Sequence, residues 1–250
     1  MDMMYIVLFA VLGAVFGSFY NVVGLRIPNG ESIVMPPSHC TSCQKRLTGI
    51  ELIPVFSYIL QGGKCRGCKA KFSPIYMFTE IITAFLFAFA YIKIGLQWEL
   101  AIALLFISLL VIINVSDLAY MLIPDKVLLF FLPLLIIGRI VSPLDPFWDS
   151  FIGAIVGFAI LFLIAIVSKG GMGGGDIKLF FLLGLVLGTY HTLLTLFFAS
   201  VIGMIVGIVV LTVRGQGRKT AVPFGPSIAL AAIIVYFYGQ SIIDWYMNLF

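Results

Sequence analysis

The chain has 250 residues, 62% of them hydrophobic and only 10% charged, with a formal net charge of +4. Globular domains average about 45–50% apolar and about 25% charged residues, so a single soluble core is excluded and lipid is the expected solvent for most of the chain. The sequence pI near 8.9 would suit a nucleic-acid binder, but the placement of the basic residues assigns the charge to membrane topology, and no direct nucleic-acid partner is expected.

A membrane-crossing helix needs about 20 mostly apolar residues. The first such segment covers about 4–25. It outruns a signal-peptide core and lacks both a basic start and a small-residue cleavage site, so it is read as a retained helix, domain 1–25. The stretch 26–75 is polar, basic and rich in Cys, Gly and Pro, and reads as a small cytoplasmic subdomain. Further spans are expected at about 76–94, 99–116, 126–141, 150–168, 177–189, 192–213 and 226–246. The segment 177–213 could instead be one bent helix, but Gly188, Thr189, Tyr190 and His191 read as a tight turn between two. The predicted fold is therefore an all-α polytopic membrane protein of about eight transmembrane helices. Its membrane domain is 76–250, with a catalytic core at about 99–213.

Cytoplasmic loops carry an excess of Lys and Arg. With 26–75 inside and the spans alternating, Lys93 and Arg139 fall outside. The other thirteen of the fifteen basic residues, Arg218 and Lys219 among them, fall inside. Their secondary role would be attraction of anionic lipid headgroups.

All four cysteines lie in 26–75, as Cys40-x-x-Cys43 and Cys65-x-x-Cys68. Two such knuckles usually hold one structural Zn²⁺ through four thiolates, and a metal would supply folding energy to a segment too small for an apolar core. Two disulfides are the alternative; the cytoplasmic placement weighs toward zinc. His39, beside Cys40, is read as a neighbour. Catalytic zinc is disfavoured because four thiolates close the coordination shell.

Four acids fall near the inner membrane boundary: Glu80, Asp117, Asp125 and Asp176. A carboxylate there is costly and is a functional candidate by default. Asp117 ends an apolar run at the inner end of the third span. Asp176 opens the sixth, directly after the run Gly170-Gly171-Met172-Gly173-Gly174-Gly175. The alternation of spans puts both at one face. Glycines beside Asp176 leave room for an extended peptide backbone. Facing carboxylates cannot both ionise easily, so one would polarise a scissile carbonyl while the other activates water. The bland alternatives are an N-cap for Asp176 and a headgroup-solvated boundary residue for Asp117. For Asp125 the N-cap is the preferred alternative, and Glu80 is balanced between a functional acid and an exposed interfacial one.

At these residues the sequence resembles the type IV prepilin peptidases, a bacterial branch of the GxGD aspartic proteases. The resemblance is carried by Gly17-Ser18-Phe19-Tyr20-Asn21-Val22-Val23 with Arg26 and Pro28, by Leu52-Ile53-Pro54 and Ser57-Tyr58 between the cysteine pairs, by Asp117 with Ile123-Pro124-Asp125, and by Gly173-Gly174-Gly175-Asp176-Ile177-Lys178. The layout looks most like the prepilin peptidases of Gram-positive competence systems. The resemblance implies Asp117 and Asp176 as the catalytic pair, and cleavage after a glycine that ends a short basic leader on prepilins or pseudopilins. It places the enzyme in the bacterial cell membrane with its active site on the cytoplasmic side. Gly173, Gly174, Gly175, Lys178 and Asp125 are the expected substrate-binding or supporting residues. Many relatives also methylate the new N-terminus with S-adenosylmethionine, and Gly63 and Glu80 match positions linked to that step. The Tyr-Pro usually found before that Glu is absent from Tyr76-Met77-Phe78-Thr79-Glu80, and no G-x-G-x-x-G follows a strand.

The chief rival is an ion-coupled transporter with Asp117 and Asp176 as its ion site. No inverted repeat supports it, and both acids lie at one face. A non-enzymatic scaffold does not explain the glycine-flanked acid. No H-E-x-x-H exists for a zinc protease, and a serine protease lacks a suitable histidine.

Overall fold

The computed structural model describes residues 2–169, 171–214 and 222–249. Gly170 of the glycine run, and the Arg218 and Lys219 assigned to the inside, lie outside the described residues. The helices are α1 (Asp2–Arg26), α2 (Phe56–Leu60), α3 (Pro74–Ile94), α4 (Trp98–Tyr120), α5 (Asp125–Val141), α6 (Asp149–Val167), α7 (Gly174–Leu187), α8 (Thr189–Arg214) and α9 (Gly225–Met247). Among the described residues the extended structure is limited to two isolated bridges, His39 with Arg46 and Lys64 with Lys71.

The fold is all-α, and each of the eight expected spans corresponds to a helix. Six of these, α1, α3, α4, α6, α8 and α9, are long and apolar enough to cross a membrane. The other two are shorter: α5 has 17 residues and α7 has 14. At 1.5 Å per residue α7 rises only about 21 Å. The segment 177–213 is two helices, as the turn at Gly188 suggested. Gly188 has φ +76°, a left-handed conformation that ends α7 before α8 begins.

The chain divides into two compact units, Met1–Val115 and Ser116–Phe250, with the boundary inside α4. In the first unit α1 runs along α3. Gly13 and Gly17 make the close approach possible. A Cβ on Gly13 would sit 2.6 Å from the Thr83 carbonyl oxygen, and one on Gly17 2.9 Å from Glu80 Cα. Small residues let helix backbones meet in lipid, where apolar side chains gain little by leaving the solvent. Two polar ties reinforce the packing: Tyr20 and Ser108 hydroxyls lie 2.5 Å apart, and Asn21 Nδ2 donates to the Tyr76 carbonyl at 3.2 Å. The motif Gly17-Ser18-Phe19-Tyr20-Asn21 thus contains residues that join α1 to its neighbours. Ser73 and Pro74 start α3, and Gly95 at φ +73° ends it.

In the second unit α7 touches α5, α6, α8 and α9. Leu179, Phe180, Leu183 and Val186 are fully buried, which explains why its sequence is apolar on every side. The α6 and α7 backbones meet at Gly153 and Gly184, where a Cβ on either residue would strike the other helix. Arg139 of α5 is buried and donates Nε and a terminal nitrogen to the Val186 carbonyl at 3.1 and 2.6 Å. It satisfies a carbonyl that the end of α7 leaves without a helical partner.

Candidate active site

Asp117 and Asp176 both belong to the second unit. Asp117 lies in the last turn of α4 and is only 6% exposed. It is therefore not a boundary residue solvated by headgroups. The Gly225 amide donates to its Oδ2 at 2.7 Å. The turn after it is held by Met121 N–H donating to the Asp117 carbonyl at 2.9 Å, and by Ser116 Oγ donating to the Leu122 carbonyl at 2.6 Å.

Asp176 occupies the first turn of α7 and is half-buried. The N-cap of α7 is Gly173, and the Asp176 carboxyl, three residues on, takes a backbone hydrogen bond from Gly173. Asp176 therefore serves the start of α7 as well as standing near Asp117. Asp176 lies close enough to Asp117 for their charges to interact. The glycines have distinct surroundings. A Cβ on Gly175 would come within 2.7 Å of Ile123 Cβ, so this glycine lets α7 begin against the turn that follows Asp117. A Cβ on Gly173 would lie 3.0 Å from Asp176 Oδ2, while Gly174 faces open space. A buried Asp117 and a half-buried Asp176 whose charges interact, beside an open glycine edge, form the kind of carboxyl pair that two-acid hydrolysis uses.

Lys178 donates to both oxygens of Asp125, at 2.8 and 2.7 Å. Asp125 is not the N-cap of α5; that position is Pro124. The pair stands at one edge of a groove of about 370 Å³ whose other walls are apolar, among them Leu128, Phe158 and Leu182.

In the first unit the four cysteine sulfurs lie within 4.8 Å of one another. Cys40 and Cys68 Sγ are 3.7 Å apart, and Cys43 and Cys65 Sγ 3.9 Å. A disulfide needs about 2.05 Å. A tetrahedral ion with Zn–S bonds of about 2.3 Å spaces its ligands by about 3.8 Å. The two knuckles share one hydrogen-bond plan. Cys40 N–H donates to the Lys45 carbonyl and Gln44 N–H to Cys40, while Cys65 N–H donates to Ala70 and Lys69 N–H to Cys65. Gln44 and Lys69 both adopt positive φ, 58° and 62°. Backbone amides of Cys43 and Ser42 pull the Cys40 thiol down to about 6, which favours the metal-binding thiolate. The cluster fits a metal ion. His39 hydrogen-bonds the Pro37 carbonyl at 2.9 Å and lies outside it.

Gly63 and Glu80 both brace α2. Gly63, at φ +65°, packs against Tyr58, where a Cβ would lie 2.8 Å from the phenol oxygen. Glu80 is buried, not interfacially exposed, and accepts from the Val55 amide at 2.7 Å.

Comparison with known proteins settles the kinship of these two units. The family model for the bacterial peptidase A24 N-terminal domain matches residues 11–94. That for the type IV leader peptidase family matches residues 104–208. The chain is 43% identical over 239 residues to a protein of Bacillus subtilis named prepilin leader peptidase/N-methyltransferase, covering 96% of each chain. The chain belongs to the type IV leader peptidase family. Proteins with the same name in Aeromonas hydrophila (32% identical, 99% of this chain and 95% of the relative) and Pseudomonas aeruginosa (30%, 95% and 91%) are also similar. No solved structure matches the chain.

The match to the type IV leader peptidase family spans Asp117, Asp176, Asp125 and Lys178, and the N-terminal match spans all four cysteines, Gly63 and Glu80. A peptidase family gives no support to the transporter reading of the two acids. Sequence reasoning missed Gly225, which lies beyond both matched regions. Its signal was present as Gly225-Pro226 opening an apolar run, a helix start facing a carboxylate 108 residues away.

Proposed function

We propose that this chain is a prepilin leader peptidase, an aspartic endopeptidase that cleaves prepilin or pseudopilin substrates after the glycine ending a basic leader. The observation that carries the reading is the buried Asp117 facing Asp176 within one compact unit, inside the stretch shared with the type IV leader peptidase family. One carboxyl polarises the scissile carbonyl while the other takes a proton from the attacking water. Gly173, Gly174 and Gly175 leave the edge open for an extended substrate, and the Asp125–Lys178 pair stands where a charged leader passes. The excess of basic residues in the turns supports a cytoplasmic position for this edge and for the cysteine module, the side on which filament subunits for pili, competence or secretion are processed. Membrane lipid is the other partner; no direct role with nucleic acid is proposed.

Cys40, Cys43, Cys65 and Cys68 hold one structural zinc, which supplies rigidity to the module and no open coordination position. The relatives named N-methyltransferase support a second activity, methylation of the new N-terminus with S-adenosylmethionine. The residues proposed for it are Gly63 and Glu80.

The test is incubation of the purified chain in detergent with a prepilin bearing a Gly-Phe junction, with and without S-adenosylmethionine. Mass spectrometry should find a leader ending in glycine and, with the donor present, a product one methyl group heavier. An intact substrate under conditions where the Bacillus subtilis relative cleaves it would overturn the assignment.

A further inference from the structure

Gly225 opens α9, and its N–H is one of the donors a helix start leaves without a helical partner. That donor is spent on Asp117 Oδ2 at 2.7 Å. The fit admits no side chain, because a Cβ on Gly225 would lie 2.7 Å from the same oxygen and 3.0 Å from Asp117 Cβ and Cγ. The amide is also fixed from behind. Phe224 packs against Gly203 of α8, where a Cβ would meet Phe224 Cε2 at 2.7 Å, and Pro226 restricts the chain that follows. Asp117 therefore faces the positive end of a 23-residue helix through a short, rigid hydrogen bond. Asp176 is the titratable group that feels the charge of Asp117.

This inference rests on the aspartic-peptidase reading and divides the labour within it. A donor aimed at a carboxylate favours the charged form, and a facing pair holds one proton between them. We propose that the first turn of α9 fixes the roles of the pair: Gly225 is a positioning residue that holds Asp117 as the ionised base, and Asp176 carries the shared proton. Asp117 takes a proton from water as the water oxygen bonds to the scissile carbon. Asp176 gives its proton to the carbonyl oxygen, forming a gem-diol. In the second step Asp117 returns its proton to the leaving nitrogen, the C–N bond breaks, and a diol hydroxyl reprotonates Asp176.

Two variants test the assignment by steady-state cleavage of the prepilin across pH. Gly225→Ala adds a methyl group against Asp117. Replacement of Gly225 by glycolic acid exchanges the amide for an ester, removing the N–H with no added bulk; the Phe224 carbonyl, which accepts from the Ser227 and Ile228 amides, becomes a weaker acceptor but keeps its place. Gly207→Ala, on α8 with open space around it, is the control expected to match the parent. Loss of one hydrogen bond to a charged group predicts a fall in kcat of about 10- to 100-fold with KM within about twofold. The acid limb of the kcat profile should move to higher pH, since a base without its donor protonates more readily. The ester variant deciding the matter, kcat within twofold of the parent, or a loss equal at every pH, would overturn the inference. If Asp117→Asn and Asp176→Asn both cleave normally, the peptidase reading itself fails. If both are dead while the ester variant is unimpaired, only the role of Gly225 fails.

Discussion

Glu80 on α3 accepts a hydrogen bond from the backbone N–H of Val55 at 2.7 Å, and Val55 has φ 63° and ψ −55°. A β-branched residue rarely adopts positive φ. The Phe56 N–H donates to the Pro54 carbonyl at 2.6 Å, closing a γ-turn of the strained kind that persists only when its surroundings hold it. The buried carboxylate of Glu80 is the hold. Glu80→Ala leaves the Val55 amide without its partner and should cost about 1–3 kcal/mol of local stability. Limited proteolysis should then cut between about residues 52 and 61, while Glu80→Gln, which keeps an acceptor, resists. Equal resistance in Glu80→Ala would show that the turn holds itself.

The sulfur spacing predicts about one zinc per chain under reducing conditions. Cys65→Ser should lose the metal and lower the melting temperature. The folded fraction of that variant should keep the parent's turnover per molecule, because the module holds shape and performs no peptide chemistry. Metal content by elemental analysis together with cleavage rate per folded molecule checks both halves. Protons compete with metal for thiolates, so acidification should release the ion.

The Asp125–Lys178 pair has short contacts, but its side chains are 58% and 52% exposed. Exposed ion pairs contribute about 0–1 kcal/mol. Asp125→Ala and Lys178→Ala should therefore shift the melting temperature little. Their effect should appear in KM for a prepilin with a charged leader and should shrink as salt rises. A double-mutant cycle on KM measures the coupling.

Gly153 and Gly184 allow the α6 and α7 backbones to touch. Gly184→Leu should force the helices apart and displace α7 along with Asp176. Overpacking costs about 1–3 kcal/mol even in adaptable cores. Backbone contact makes this site less adaptable, so loss of the folded state in a thermal melt is expected. Gly174→Ala, with nothing within 4 Å, should melt like the parent.

The helices were legible because lipid demands long apolar runs, and the cysteine module stood out as the polar exception between two of them. The break at Gly188 was readable from its turn chemistry. What the sequence hid are contacts whose partners are far apart along the chain. The donor of Gly225 to Asp117 joins residues 108 apart, and Glu80 reaches 25 residues back to Val55. Asp125 looked like a cap because it follows Pro124 at a helix start, but the cation 53 residues later takes its carboxylate. Hydropathy marked where α5 and α7 lie. It could not show that α7 is touched by four helices, which lets this 14-residue helix be apolar on every side after Lys178.

The central claim is that Asp117 and Asp176 together perform hydrolysis. The most direct measurement is single-turnover cleavage of a purified prepilin by the parent, Asp117→Asn and Asp176→Asn, each first shown to be inserted and folded. The account predicts complete cleavage at the glycine by the parent and none detectable by either variant. Cleavage at the parent rate by either folded variant would contradict it.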